Sequence, residues 1–465
     1  MRISNDRFIR MFEEAIGAQR AAVAFSAFEQ DPSVSVRLNP FKKIACFDGC
    51  VPVLWSEWGR ILETRPVFTL DPHFHGGAYY VQDSSAMFVG HVFRECLKRF
   101  CPETDVIRVL DLCAAPGGKT TDVAASLREA FGERFLLVAN EVMKSRAGIL
   151  ADNAAVWGDP NIVVTSLDPA AFAVLEGFFD IIIADVPCSG EGMFRKDDEA
   201  VRAWSEDNVA LCAARQKRII ADVWPSLSAG GILIYSTCTF NTHENDDNIK
   251  WISNNLGAEI LPVSHFSAPD SVIRTEHGFS LVPGFVPGEG QYCASLCKTS
   301  GVRYNLSNSK SSGVVRRRQG KLSGDVNACA SADIVNFFNS PVSVRSKGDL
   351  LKAIPSGIEP YVSLIESKFH PLATGVAVGT VKGRDLVPSA DLPLSIIFSE
   401  DSFEMVEVDR GTALKFLHRD NIVLPGKGFQ IVCHEGTRLG FVKNLGSRCN
   451  NLYPQSRRIR MNLDF

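Results

Sequence analysis

Two cysteines stand in segments that could do chemistry. Cys188 lies in "ADVPCSGEGMFRKD" (184–197) and Cys238 in "YSTCTFNTHEND" (235–246). Each follows an apolar run, "FDIIIADVP" or "GGILIYSTC", of the kind that forms a buried strand. Neighbouring strand ends would bring both thiols and Asp185 to one cleft. A lone cysteine is more often a small buried hydrophobe, and that reading suits the other cysteines, Cys113 included. Here a Pro-Cys-Ser-Gly turn and a Thr-Cys pair frame one edge, and small residues keep space around them. Carbon 5 of cytosine is too poor a nucleophile to take a methyl group unaided. A thiolate adding to carbon 6 makes an enamine-like intermediate whose carbon 5 can attack a methyl sulfonium. Covalent catalysis of this kind divides one hard step into easier ones. Asp185 is placed to neutralise charge developing near ring N3, and a second thiol can assist release of the first.

The methyl donor would need its own pocket. Residues 111–121 read "DLCAAPGGKTT". Gly118, Lys119 and Thr120 fit the end of a triphosphate loop, but its first glycine falls on Cys113, and Pro116 removes a backbone donor. The dinucleotide fingerprint G-x-G-x-x-G is absent. A cationic, phosphate-free ligand such as S-adenosylmethionine needs close backbone approach, which Gly117 and Gly118 permit. It also needs carboxylates at successive strand ends, and Asp111, Glu141, Asp168 and Asp185 stand at such points. Any one of them could merely cap the next helix. All four at one sheet edge favour a shared pocket.

These groups must be positioned by alternating elements. The apolar runs "VIRVLDL", "RFLLVANE", "NIVVTSLD", "FDIIIADVP" and "GGILIYSTC" predict strands, with helices over Thr120–Phe131, Met143–Trp157 and Trp204–Trp224. Strands apolar on both faces belong to a parallel sheet covered by helices, a doubly wound α/β core. Upstream, "DRFIRMFEEAIG" predicts a helix burying Phe8, Ile9, Phe12 and Ile16, and "SVSVRLNP" a strand ended by Pro40. Residues 301–328, rich in Ser, Gly and basic side chains, read as a basic linker. Beyond it, "GVAVGTVKG", "GFQIVCHEG" and "LGFVKNL" predict a β-rich domain over 329–465.

The 465 residues call for two or three domains, and 45% hydrophobic with 22% charged residues is ordinary for a soluble protein. No apolar run reaches the roughly 18 residues that span a bilayer, and the N-terminus lacks a signal peptide. Cytoplasmic localisation is the expectation. With a formal charge of −4, any nucleic-acid site must be a local patch. The 13 cysteines include no C-x-x-C pair, so free thiols and no metal site are expected.

The motifs "DLCAAPGGKT", "ADVPCSGEGMFRKD" and "YSTCTFNTHEN" resemble those of the NOP/Sun-type RNA cytosine-C5 methyltransferases. "GEGMFRKD" and the C-terminal "GFVKNLGSRCNNLYPQSRRIR" are similar to the RsmF-like bacterial ribosomal RNA branch, and "SVRLNP" and "GGAYYVQDSSAM" extend the likeness upstream. The resemblance implies a Rossmann-like S-adenosylmethionine-dependent core over 101–300. An N-terminal α+β RNA-binding segment over 1–100 and a PUA-like RNA-binding domain over 329–465 would flank it. It implies that Cys113, Ala114, Ala115, Pro116, Gly117, Gly118 and Lys119 form the cofactor loop. Glu141 would bind the ribose, Asp168 would lie by the adenine, and Asp185 would sit between cofactor and base. Cys238 would attack and Cys188 would aid release. The residues alone leave that division of labour open. The implied partner is RNA, ribosomal rather than transfer RNA. The alternatives are a transfer RNA cytosine-5 methyltransferase, a nucleotide triphosphatase and a non-catalytic RNA-binding protein.

Further expectations are coarser. Arg195 and Lys196 are weighed evenly between phosphate contact and a solvated turn. Arg37 and Asn39 are placed along an RNA path, and Gln82, Ser84 and Ser85 near the mouth of the site. Asn241 or Thr242 is expected to cap a helix, which leaves His243 without a catalytic role. Arg448, Arg457, Arg458 and Arg460 around Tyr453 suit stacking and phosphate contact with RNA.

Overall fold

The computed structural model describes residues 5–42, 46–100, 106–305, 334–383 and 385–463. Asn5 accepts hydrogen bonds from the Arg7 and Phe8 amides and starts a helix over Asp6–Ile16. A second helix follows over Ala18–Phe28. Phe8, Phe12 and Ile16, at helical spacing, are buried, with Ile9 packed beside them. Next comes an antiparallel sheet of β1 (Val34–Leu38), β2 (Val51–Val53), β3 (Ser56–Leu62) and β4 (Tyr79–Val81), in the order β2-β3-β1-β4.

The core sheet begins with β5 (Ile107–Asp111), β6 (Phe135–Asn140), β7 (Ile162–Thr165), β8 (Phe179–Asp185) and β9 (Leu227–Thr237). These five are parallel, in the order β7-β6-β5-β8-β9. Alternate side chains serve two cores. Val109, Leu137 and Ile183 face one cluster, and Leu110, Val138 and Ile182 the other, which is why these strands read as unbroken apolar runs. The expected helices cover Gly118–Phe131, Lys144–Trp157 and Glu206–Val223. The sheet is not purely parallel. A strand over Gln291–Lys298 pairs antiparallel with β9 and carries three short strands beyond it.

Beyond residue 334 lie two four-stranded sheets, with helices over Glu359–Lys368 and Arg410–His418. The three β-like runs read from the sequence fall on Val376–Lys382, Gly428–His434 and Thr437–Asn444. Val362 and Ile365 of the first helix join the core under the parallel sheet. Of the expected linker, residues 306–328 lie outside the described residues. Its first residues are bonded to the core: the Val302 carbonyl accepts from the Ala229 amide, and the Tyr304 amide donates to Gly177. Among the described residues, no helix is long and apolar enough to cross a membrane.

Candidate active site

Parallel pairing of β8 with β9 sets Asp185 opposite Ser236 and sends both strands' following loops off the same edge. Cys188 lies three residues beyond β8 and Cys238 one beyond β9, and their sulfurs are 3.1 Å apart. Asp185 sits beside them at the strand end. Its carboxylate accepts from Lys119 Nζ at 2.9 Å and Ser236 Oγ at 2.7 Å, with Gln291 Nε2 at 3.5 Å.

The two thiols meet different fields. Contact with Cys238, burial and the nearby Glu244 carboxylate push the Cys188 thiol well above its ordinary range. Cys188 is thereby held toward its protonated form. Burial would lower the Lys119 ammonium, but Asp185 and Cys238 beside it outweigh that and raise it. A cation, Lys119, thus lies near Cys238 and an anion, Glu244, near Cys188.

The loop over 113–117 is held by its neighbours. The Ala114 amide donates to the Asn140 carbonyl, and the Ala115 carbonyl accepts from Arg146. The Pro116 carbonyl accepts from Tyr80 Oη and Asn153 Nδ2. Gly117 takes a φ of +116°, a conformation L side chains resist, and turns the chain into the helix at Gly118. Cys113 lies near Asp185, Asp111 and Glu141; burial and these anions push its thiol up.

Asp111 is fully buried. One oxygen accepts from Thr120 Oγ1 at 2.6 Å, and the other has no partner. Burial pushes this carboxyl up to about 7, against the Thr120 bond. Glu141 is buried at the end of β6, accepts from the Met143 amide and pairs with Arg146 at 3.2 Å. Val142 and Met143 beside it are exposed apolar surface. Asp168 is exposed and caps a short 3-10 turn at Pro169, as the capping alternative foresaw. Anions outnumber cations at this edge, and Lys119 is committed to Asp185. A triphosphate would need that lysine and free amides. A cationic, phosphate-free ligand fits the donor set: Glu141 for hydroxyls, exposed Val142 and Met143 for an apolar ring, and the unpartnered Asp111 oxygen.

Several expected RNA contacts are structural instead. Arg195, 6% exposed, grips Glu289 through Nε and Nη2 and also donates to the Gly288 carbonyl. Lys196 pairs with Asp83 and Glu289. Arg37 is buried under the cofactor loop, bonded to Gln82, Gly118 and Thr121. Asn39 is buried between the Gly77 and Trp157 carbonyls. Gln82, Ser84 and Ser85, expected near the mouth of the site rather than on RNA, are buried. Tyr453 is buried with its hydroxyl 3.0 Å from His75 Nδ1, and Arg457 pairs with Asp152 and Asp391. Arg448, Arg458 and Arg460 remain exposed. The helix expected to start at Asn241 begins at Asp246, because Asn241 folds a turn with the Glu244 amide. His243 is exposed and pairs with Asp247. Sequence reasoning missed Tyr80, Arg146 and Gln291, whose contacts with Pro116, Ala115 and Asp185 are long-range.

Three family models match the chain. They are the N-terminal domain of 16S rRNA methyltransferase RsmF over residues 5–84, 16S rRNA methyltransferase RsmB/F over 101–297, and the methyltransferase RsmF PUA domain over 403–459. The ribosomal RNA small subunit methyltransferase F of Klebsiella pneumoniae (strain 342) is 28% identical over 476 residues, covering 97% of this chain and 95% of that one. Its counterpart in Escherichia coli O157:H7 is 29% identical with the same coverage. Among solved structures, a methyltransferase homolog protein from Pyrococcus horikoshii is 25% identical with a TM-score of 0.52, covering 63% of this chain and 95% of that one. NSun6 from Pyrococcus horikoshii with SFG, at 17% identity and a TM-score of 0.52, covers 64% of this chain and 98% of its own. That second likeness speaks for the fold.

Proposed function

Because the chain belongs to the RsmB/F family of methyltransferases, we propose that it methylates carbon 5 of a cytosine in small-subunit ribosomal RNA. The observation that carries the cytosine-5 reading is the contact of two thiols beside a carboxylate, with Lys119 on one side and Glu244 on the other. S-adenosylmethionine is the cofactor, and when bound it supplies the methyl group. Glu141, Asp168 and the 113–119 loop would hold it, with Asp185 between it and the base.

In this reading Cys238 adds to carbon 6 of the ring, which loads electron density onto carbon 5. Lys119 stabilises the thiolate before attack. Asp185 would face the N3 edge and, as an acid, give a proton to the negative charge that develops there. After transfer a water molecule takes the carbon-5 proton, the carbon 5–carbon 6 double bond re-forms, and the Cys238–carbon 6 bond breaks with its electron pair returning to sulfur. Cys188, 3.1 Å from the Cys238 sulfur, would aid that departure. The segment before residue 101 and the domain after residue 329 would bind the RNA, the latter through exposed Arg448, Arg458 and Arg460. The cytoplasm, where ribosomal RNA lies in bacteria, is the expected location.

The test is methyl transfer from labelled S-adenosylmethionine to small-subunit ribosomal RNA, with the product base identified by mass spectrometry. Expected are 5-methylcytosine from the native chain, and none from Cys238→Ala that still binds S-adenosylmethionine. Full activity in that variant would sink the mechanism.

A further inference from the structure

We propose that Glu191 and Glu244 are positioning residues that clasp the two cysteine loops together and hold the thiols in contact. The inference rests on the two-thiol reading above. Glu191 belongs to the Cys188 loop, yet its carboxylate accepts from the Phe240 and Asn241 amides of the Cys238 loop at 2.9 and 3.0 Å. Glu244 follows Cys238, yet accepts from the amide of Ser189, the residue after Cys188, at 3.0 Å. The clasp is therefore reciprocal. Asn241 Nδ2 bridges both carboxylates, at 3.0 Å from Glu191 and 2.9 Å from Glu244. Trp204 Nε1 and Gln216 Nε2 supply the remaining donors, at 2.9 and 2.7 Å.

Both carboxylates are buried, at 1% and 0% exposure, and every one of these donors is neutral. Burying a carboxylate without a cation is costly, and two within one small network more so. Neutral packing would serve stability at least as well. What the carboxylates provide is acceptors only, so that several N–H groups from two loops converge on each. The Gly192 amide adds a direct bond to the Cys238 carbonyl at 2.8 Å, and Ser189 Oγ meets Thr239 Oγ1 at 2.9 Å. These bonds flank the cysteines on both sides and leave the sulfurs 3.1 Å apart. Glu244 also lies close enough to help keep Cys188 protonated.

The test uses Glu191→Gln and Glu244→Gln in the full chain, each of which puts an amide donor where N–H groups already point. The first readout is the rate at which diamide joins Cys188 to Cys238, followed by peptide mass spectrometry. The two thiols lose two protons and two electrons, which diamide takes up as it is reduced to the hydrazine. The second is kcat for methyl transfer, beside KM for RNA and the affinity for S-adenosylmethionine. Misplacing reacting groups by about 1 Å costs up to roughly 10²-fold, so disulfide formation and kcat should each fall about 10- to 100-fold with cofactor affinity unchanged. Asn241→Ala removes only the shared amide and keeps both carboxylates, and a fall of about threefold to tenfold is expected there. Wild-type disulfide rates and kcat in these variants would overturn the proposal. If Cys238→Ala is inactive while the clasp variants behave as wild type, only the clasp fails. If Cys238→Ala is fully active, the underlying cysteine reading fails first.

Discussion

Asp111→Asn should stabilise the protein in a pH-dependent way. In the folded chain this buried carboxyl ionises near 7, against 3.8 when exposed. At low pH it is protonated in folded and unfolded chains alike, and asparagine, also neutral, changes little. Asn can still accept the Thr120 bond that now reaches Asp111 Oδ2. As pH rises the unfolded chain ionises first, so the folded state loses stability until its own carboxyl titrates. At 1.36 kcal/mol per unit, the loss levels off at about 4 kcal/mol above pH 7. Part of it is already present at pH 5. The stability gained by Asp111→Asn should therefore grow by about 2–3 kcal/mol between pH 5 and pH 8. Urea unfolding of the cofactor-free chain and the variant at both values measures it. A difference that stays constant with pH would refute the assignment of a proton to Asp111.

Three other variants probe the frame around the thiols. Lys119→Gln removes the cation beside Asp185 and Cys238, and single-turnover methylation should slow by about 10- to 10³-fold. Arg195→Ala leaves buried Glu289 with only Lys196, 3.5 Å away, so chemical denaturation should report a loss of about 3 kcal/mol. The salt dependence of RNA binding should not change in that variant, because the Arg195 guanidinium is buried against Glu289. Gly192→Ala would put a methyl group 2.7 Å from Gly290 Cα and 2.8 Å from the Cys238 carbonyl. Backbone must shift to admit it, and a loss of about 1–3 kcal/mol in thermal unfolding, with a lower kcat, is expected.

Much of the core was legible because its signals are local. Five strands buried on both faces give unbroken apolar runs, and the helices between them carry their own periodicity. The cysteines and strand-end acids could be grouped because parallel strands deliver their carboxyl ends to one edge. The antiparallel strand over Gln291–Lys298 was missed, since its partner, β9, lies more than fifty residues earlier in the chain. Charged side chains misled for the same reason. Arg37, Arg195 and Arg457 look like surface cations in sequence, yet each finds a distant carboxylate or carbonyl and leaves solvent. Asn241 reads as a helix cap because that signal is local, while its amide is drawn to Glu191 and Glu244 across two loops. The placement of Glu244 near Cys188 and of Lys119 near Cys238 follows from no spacing rule.

The most direct measurement is trapping of the RNA on the protein. Native chain, Cys188→Ala, and Cys188→Ala combined with Cys238→Ala are incubated with small-subunit ribosomal RNA and S-adenosylmethionine, then run on a denaturing gel. A denaturant-stable RNA adduct should accumulate with Cys188→Ala and disappear when Cys238 is also removed. An adduct that persists without Cys238, or rapid turnover in Cys188→Ala with no adduct, would contradict attack by Cys238 and release aided by Cys188.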